Sequence, residues 1–168
     1  MAIHEQTEAR ALEPIATCLM RQLIVPDVYF AHIEASGIIA ADVVLIDRAG
    51  VGDVHAVQAR AGFDAAWSVL PSVMLWPSHF RWLAVVCLSN SDRRKLGSLS
   101  LRKLQQLLPP SGAGRVGLIE VAMEPGGGLG AKILHRAERF HGHFRDSLLH
   151  SLGGRSPDVT YREDASPR

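Results

Sequence analysis

The chain has 168 residues, a formal net charge of +1, 47% hydrophobic residues and 21% charged residues, proportions that exclude a disordered or polybasic protein and fit one globular domain. At this length folding can bury roughly 70% of the unfolded surface, so a stable core needs no disulfide scaffold. No apolar run approaches the ~20 residues of a membrane span, and the N-terminal MAIHEQTEAR lacks the pattern of a secretory signal, so a cytoplasmic protein is expected.

Residues 4–25 read as a helix, with Leu12, Ile15, Leu19, Leu23 and Ile24 at helical spacing, Thr7 as a candidate cap and Pro14 tolerable only in a first turn or at a kink. DVYFAHIE (27–34) and IIAADVVLIDR (38–48) are rich in β-branched and aromatic residues and read as strands. Ala49–Asp53 forms a tight connection, and DVHAVQAR (53–60) returns as a third strand, so the three predict an antiparallel meander. Gly62 breaks the pattern. A helix follows over 63–76, then RWLAVVCL (81–88), whose unbroken apolar character predicts a strand buried on both faces. Residues 89–110 predict a helix capped by Ser91 and divisible at Gly97. RVGLIEVAM (115–123) and LGAKILHRA (129–137) predict a hairpin around the glycine-rich turn 124–128. A last helix is expected over 138–152, followed by a flexible tail at 153–168. Residues 1–152 thus form a single α/β domain, a sandwich with a mixed sheet.

Charge is distributed unevenly. Residues 1–60 carry four Arg against eight Asp or Glu, whereas residues 61–152 carry eleven Lys or Arg against six. Such asymmetry suits a cation-binding face beside an anion-binding one, although ordinary surfaces also show it.

Asp42 interrupts an otherwise apolar strand, where a carboxylate is costly unless paired or bound to a cation. Gln58 and Arg60, two apart on the returning strand, share one face. The hairpin brings that strand beside Asp42, so a carboxylate, an amide oxygen and a cation come together. At these residues the chain resembles the PD-(D/E)xK, or restriction-endonuclease-like, nuclease superfamily. AADVVLID (40–47) resembles its Asp-bearing second strand, and HAVQAR (55–60) its third strand with (D/E)-x-K. Element order resembles that core too: a helix, a three-strand meander, a crossover helix and a further strand, from about residue 7 to about residue 137.

The resemblance implies a DNA-processing site with Asp42, Gln58 and Arg60 in the catalytic positions. It implies a Mg²⁺ or Mn²⁺ ion held by Asp42, by Gln58 in the second ligand position and by the carbonyl of Ala59, with Glu8 or Glu34 as an auxiliary carboxylate. Two departures bear on the chemistry. Gln58 in place of an acid removes a negative charge from a site for an ion that prefers carboxylates. Arg60 in place of Lys keeps its charge but cannot give up its proton. The leading expectation is therefore a nuclease-like DNA-binding or DNA-processing protein with a degenerate metal site. The alternative is a non-catalytic interaction or dimerisation domain that keeps the fold alone.

Other features point less far. Arg93, Arg94, Lys95, Arg102 and Lys103 form a basic cluster suited to DNA phosphates or simply to solvating a helix. Gly126-Gly127-Gly128 reads as a hairpin turn, because it lacks the Lys and Ser/Thr of a phosphate loop and lies between strands. His141 and His143 would point to different faces of a helix. Trp67, Trp76 and Trp82 lie in apolar patterns and read as core. Cys18 and Cys87 read as two buried thiols in a reducing compartment.

Overall fold

The computed structural model describes residues 3–22, 26–30, 42–47, 53–74, 76, 78–99, 115–142 and 159–160. Helix α1 (Ile3–Met20) leads into the antiparallel strands β1 (Pro26–Phe30), β2 (Val43–Asp47) and β3 (Val54–Ala61). Helix α2 (Phe63–Val73) crosses over to β4 (Phe80–Val86), which pairs parallel to β3. Helix α3 (Asn90–Gly97) precedes β5 (Gly117–Met123), parallel to β4, and β6 (Leu129–His135) folds back antiparallel to β5. The last strand, β7 (Val159–Thr160), pairs with β1. The sheet order is β6-β5-β4-β3-β2-β1-β7. The protein is thus α/β with a mixed sheet, as the alternation of patterns predicts.

Strand alternation sorts the apolar residues into two cores. Ala11, Ile15 and Leu19, spaced four apart on α1, bury against Val43, Leu45, Val57, Ala59, Trp82, Ala84 and Ile119 on one face. On the other, Ala66, Leu70 and Val73 of α2 and Leu96 of α3 bury against Val44, Ile46, Ala56, Leu83, Val85 and Leu118. Strand β4 contributes to both cores, which explains its uninterrupted apolar run. Trp76 and Trp82 are core residues, and the half-buried Trp67 ring stacks on Phe63 at 5.6 Å.

The turn from β3 into α2 requires Gly62, whose φ of +90° suits a residue without Cβ. Its N–H donates to the Val86 carbonyl at 2.8 Å, which fixes the helix entry at the carboxyl end of β4. Asp92 on α3 secures the same corner: one oxygen accepts from Phe63 N–H at 3.0 Å and the other from Leu88 N–H at 2.9 Å.

Several local expectations need correction. Thr7 does not cap α1; it lies inside the helix and its hydroxyl donates to the Ile3 carbonyl. Pro14 also lies within α1, where the buried Ala11–Ile15–Leu19 stripe holds the helix together across the missing N–H. The cap of α3 is Ser89, which accepts from Asp92 N–H, while Ser91 falls within the first turn. The helix expected from residue 138 does not begin there. Glu138 instead exchanges backbone hydrogen bonds with Arg115 at 2.9 and 3.3 Å, and Phe140 N–H donates to the His79 carbonyl at 2.7 Å. The Glu138 carbonyl, which would accept the first bond of such a helix, is taken by Arg115 N–H, and His141 is not helical. Residues 143–152 and His143 lie outside the described residues, as does all of the expected tail except β7.

The glycine-rich segment is the expected hairpin turn. Glu124 N–H donates to Gly128 O at 2.7 Å and Gly127, at φ +89°, donates to Glu124 O. Among the described residues no helix is long and apolar enough to cross a membrane.

Candidate functional site

The antiparallel register sets Val43 against Val57, and the Asp42 N–H, one residue before β2, also donates to the Val57 carbonyl, at 2.8 Å. By alternation along β3, Gln58 and Arg60 share the α2 side of the sheet with Ala56. Asp42 and Gln58 are both buried.

Because Val57 O points toward β2, the N–H groups of Ala59 and Ala61 point the same way. Side chains satisfy both. Asp42 Oδ2 accepts from Ala59 N–H at 2.7 Å, and Glu8 Oε1, reaching over from α1, accepts from Ala61 N–H at 2.8 Å. Buried donors without such acceptors would be costly, so the carboxylates complete the edge of β3 where β2 ends.

Arg60 folds back along the same edge. Its Nη1 donates to the Ala59 carbonyl at 2.7 Å and lies 3.4 Å from Asp42 Oδ2. The Arg60 side chain remains 33% exposed against 11% for Asp42, so the pair sits at the boundary between core and solvent. Of the two auxiliary carboxylates left open by the sequence, Glu8 reaches this edge. Glu34 lies outside the described residues.

A Mg²⁺ ion demands near-octahedral oxygen ligands and favours carboxylates. Here the Ala59 carbonyl and one Asp42 oxygen both face a guanidinium nitrogen, and position 58 offers a neutral amide. Among the described residues no three His, Cys, Asp or Glu side chains are grouped to hold a metal. With Arg60 in this position the residues present do not fit a divalent ion.

The basic residues of α3 lie near the same edge of the sheet, and two of the three have acidic neighbours. Lys95 Nζ contacts both Asp64 oxygens at 3.1 and 3.2 Å, and Arg93 lies 3.8 Å from Glu120. Arg94 is exposed, while Arg102 and Lys103 lie outside the described residues. The thiols of Cys18 and Cys87 are half-buried and both are pushed up by burial, Cys87 to about 11 with further help from Glu120 and Asp92. Neither is poised as a nucleophile. A groove of about 570 Å³ runs between α1 and the β5–β6 turn, past Arg10, Glu13, Cys18 and Gly128, away from Asp42 and Arg60.

Sequence reading missed a second buried polar group at the opposite end of β3 and β4. His79 Nδ1 accepts from Val54 N–H at 3.0 Å, which leaves its proton on Nε2, 3.1 Å from the Gly142 carbonyl. Arg81 donates to the carbonyls of Met74 and Ser78, and the Phe140 ring lies 3.7 Å from its guanidinium carbon. Both join α2 and the segment after β6 to the sheet. The signal available was a charged residue at the head of an apolar run, RWLAVV.

No family model, no curated protein and no solved structure matches the chain. Fold and geometry define an α/β sandwich with a carboxylate–guanidinium site at the carboxyl end of β3.

Proposed function

We propose that the chain is a nuclease-like DNA-binding protein, built on a restriction-endonuclease-like core, that binds DNA without cutting it. The observation that carries this reading is the meeting of Glu8, Asp42 and Arg60 along the edge of β3 between Ala59 and Ala61, with Gln58 buried on the same strand. These are the positions at which the resemblance implies a site. Two further features support it. Strands β3, β4 and β5 are parallel, so their carboxyl ends share one edge, the usual ligand-binding edge of such sheets. Helix α3, with Arg93, Arg94 and Lys95, starts at that edge and offers positive charge to a phosphate backbone. Hydrolysis would need an ion to activate water, and the pairing of Asp42 with Arg60 opposes one.

The test is retention of duplex, single-stranded, nicked and branched DNA across a salt series, with a parallel cleavage assay in Mg²⁺ or Mn²⁺. Retention that falls steeply with salt, without cleavage, is expected. Cleavage lost in Asp42→Ala would instead make the protein an active nuclease. Self-association without DNA retention would favour an interaction domain.

A further inference from the structure

We infer that the site carries its own cation: the Arg60 guanidinium occupies the place between Asp42 and the Ala59 carbonyl, so that place does not take up a divalent metal ion. The inference concerns the site of the DNA-binding reading, but it can be tested without DNA.

Past Val57, strand β3 presents two N–H groups and the Ala59 carbonyl toward the β2 side. Asp42 and Glu8 supply acceptors for the N–H groups, and Arg60 supplies the donor for the carbonyl. The Ala59 carbonyl and Asp42 Oδ2 thus both lie against one nitrogen, at 2.7 and 3.4 Å. An ion using these two oxygens would have to displace that nitrogen and would then face its positive charge.

Charge leads to the same conclusion. Among the described residues, Asp42 contributes one negative charge, Arg60 cancels it, and Gln58 adds none. Glu8 brings a second carboxylate, but its Oε1 is engaged by Ala61 N–H. Lysine would act as a compact point charge, whereas the planar guanidinium can donate to a carbonyl and a carboxylate together. Gln58 and Arg60, the two departures from the nuclease pattern, are thereby linked: with a fixed cation present, a second acid at 58 is not needed to hold one.

The experiment titrates the full chain with Mn²⁺, following the electron paramagnetic resonance signal of the free ion. Wild type and Asp42→Asn are expected to deplete the signal equally. A folded Gln58→Glu/Arg60→Ala double variant, with two carboxylates and no guanidinium, is expected to bind Mn²⁺ at least about tenfold more tightly than wild type. Circular dichroism checks its folding. If it does not fold, the single Gln58→Glu variant decides, since it keeps Arg60 and is expected to gain no Mn²⁺ affinity. Wild-type Mn²⁺ binding that Asp42→Asn abolishes would overturn the inference. So would a gain in the single variant, or a folded double variant with no gain. Failure to retain DNA would remove the DNA-binding reading and leave the Mn²⁺ result unaffected.

Discussion

At position 55 a histidine ring lies against Phe80, with centroids 4.3 Å apart and planes 6° from parallel, while its Nδ1 accepts the Trp82 indole N–H at 3.2 Å. Burial pushes its pKa down to about 4; His79 adds to the shift, and Asp53 opposes it. A histidine held neutral in this way contributes its full stability above its unfolded pKa, near 6.5. That contribution is lost as pH falls, because the unfolded chain takes up the proton first. Between pH 6.5 and 4 the loss approaches about 3 kcal/mol. Urea midpoints at the two ends of this window are expected to fall more for wild type than for His55→Gln, which cannot titrate; equal falls would place the imidazole in a solvated setting. Gly117 poses a steric problem instead. A Cβ there would overlap the Trp82 ring and lie 2.7 Å from the Ala137 nitrogen. Gly117→Ala should cost about 1–3 kcal/mol in urea unfolding, and an unchanged midpoint would mean that the ring has room to move.

At the scale of elements, the corner joining β4, α2 and α3 depends on Asp92. Partial burial alone would raise its carboxyl pKa, but hydrogen bonds from Phe63, Leu88 and Ser89 outweigh that and hold it below the usual value. Asp92→Ala removes acceptors from the N–H groups of two other segments and is expected to cost about 1–2 kcal/mol at neutral pH. The difference from wild type should narrow as pH falls below the ordinary carboxyl pKa of 3.8, where the unfolded chain takes up the proton first, and close once the folded carboxylate protonates at lower pH. A full-sized difference at pH 2 would show that the hydrogen bonds to the carboxylate are not its source. Periodicity made these elements legible: α2, β3, β4 and the β5–β6 hairpin fall within a few residues of expectation. Ser89 and Ser91 are both cap residue types, and Asp92, three residues after Ser89, marks Ser89 as the one that caps. What local pattern could not reveal was partner choice. Residue 138 onward was compatible with a helix until Arg115 claimed its backbone groups.

Across the whole molecule, the acidic first third and basic middle do not remain separate faces. Asp53 of the first pairs with Arg139 of the second at 3.0 Å, while Asp42 pairs with Arg60 inside the first and Lys95 and Arg93 with Asp64 and Glu120 inside the second. The parallel run β3-β4-β5 nevertheless directs three strand ends, the candidate site and α3 to one edge. The sequence by itself determined the α/β class, the two-sided burial of β4 and the prominence of Asp42 in an apolar strand, because these depend on hydrophobic periodicity and the cost of a buried charge. It also placed Asp42 beside the strand that carries Arg60, since a hairpin pairs neighbouring strands. Only the tertiary structure decided what those side chains do. Glu8 meets Ala61 across 53 residues and Asp42 meets Ala59 across 17. Arg60 meets the Ala59 carbonyl at an edge that exists only after β2 has paired and ended. The direction of an unpaired backbone group belongs to the assembled sheet, so no local pattern could disclose that these carboxylates and the guanidinium would be drawn to it.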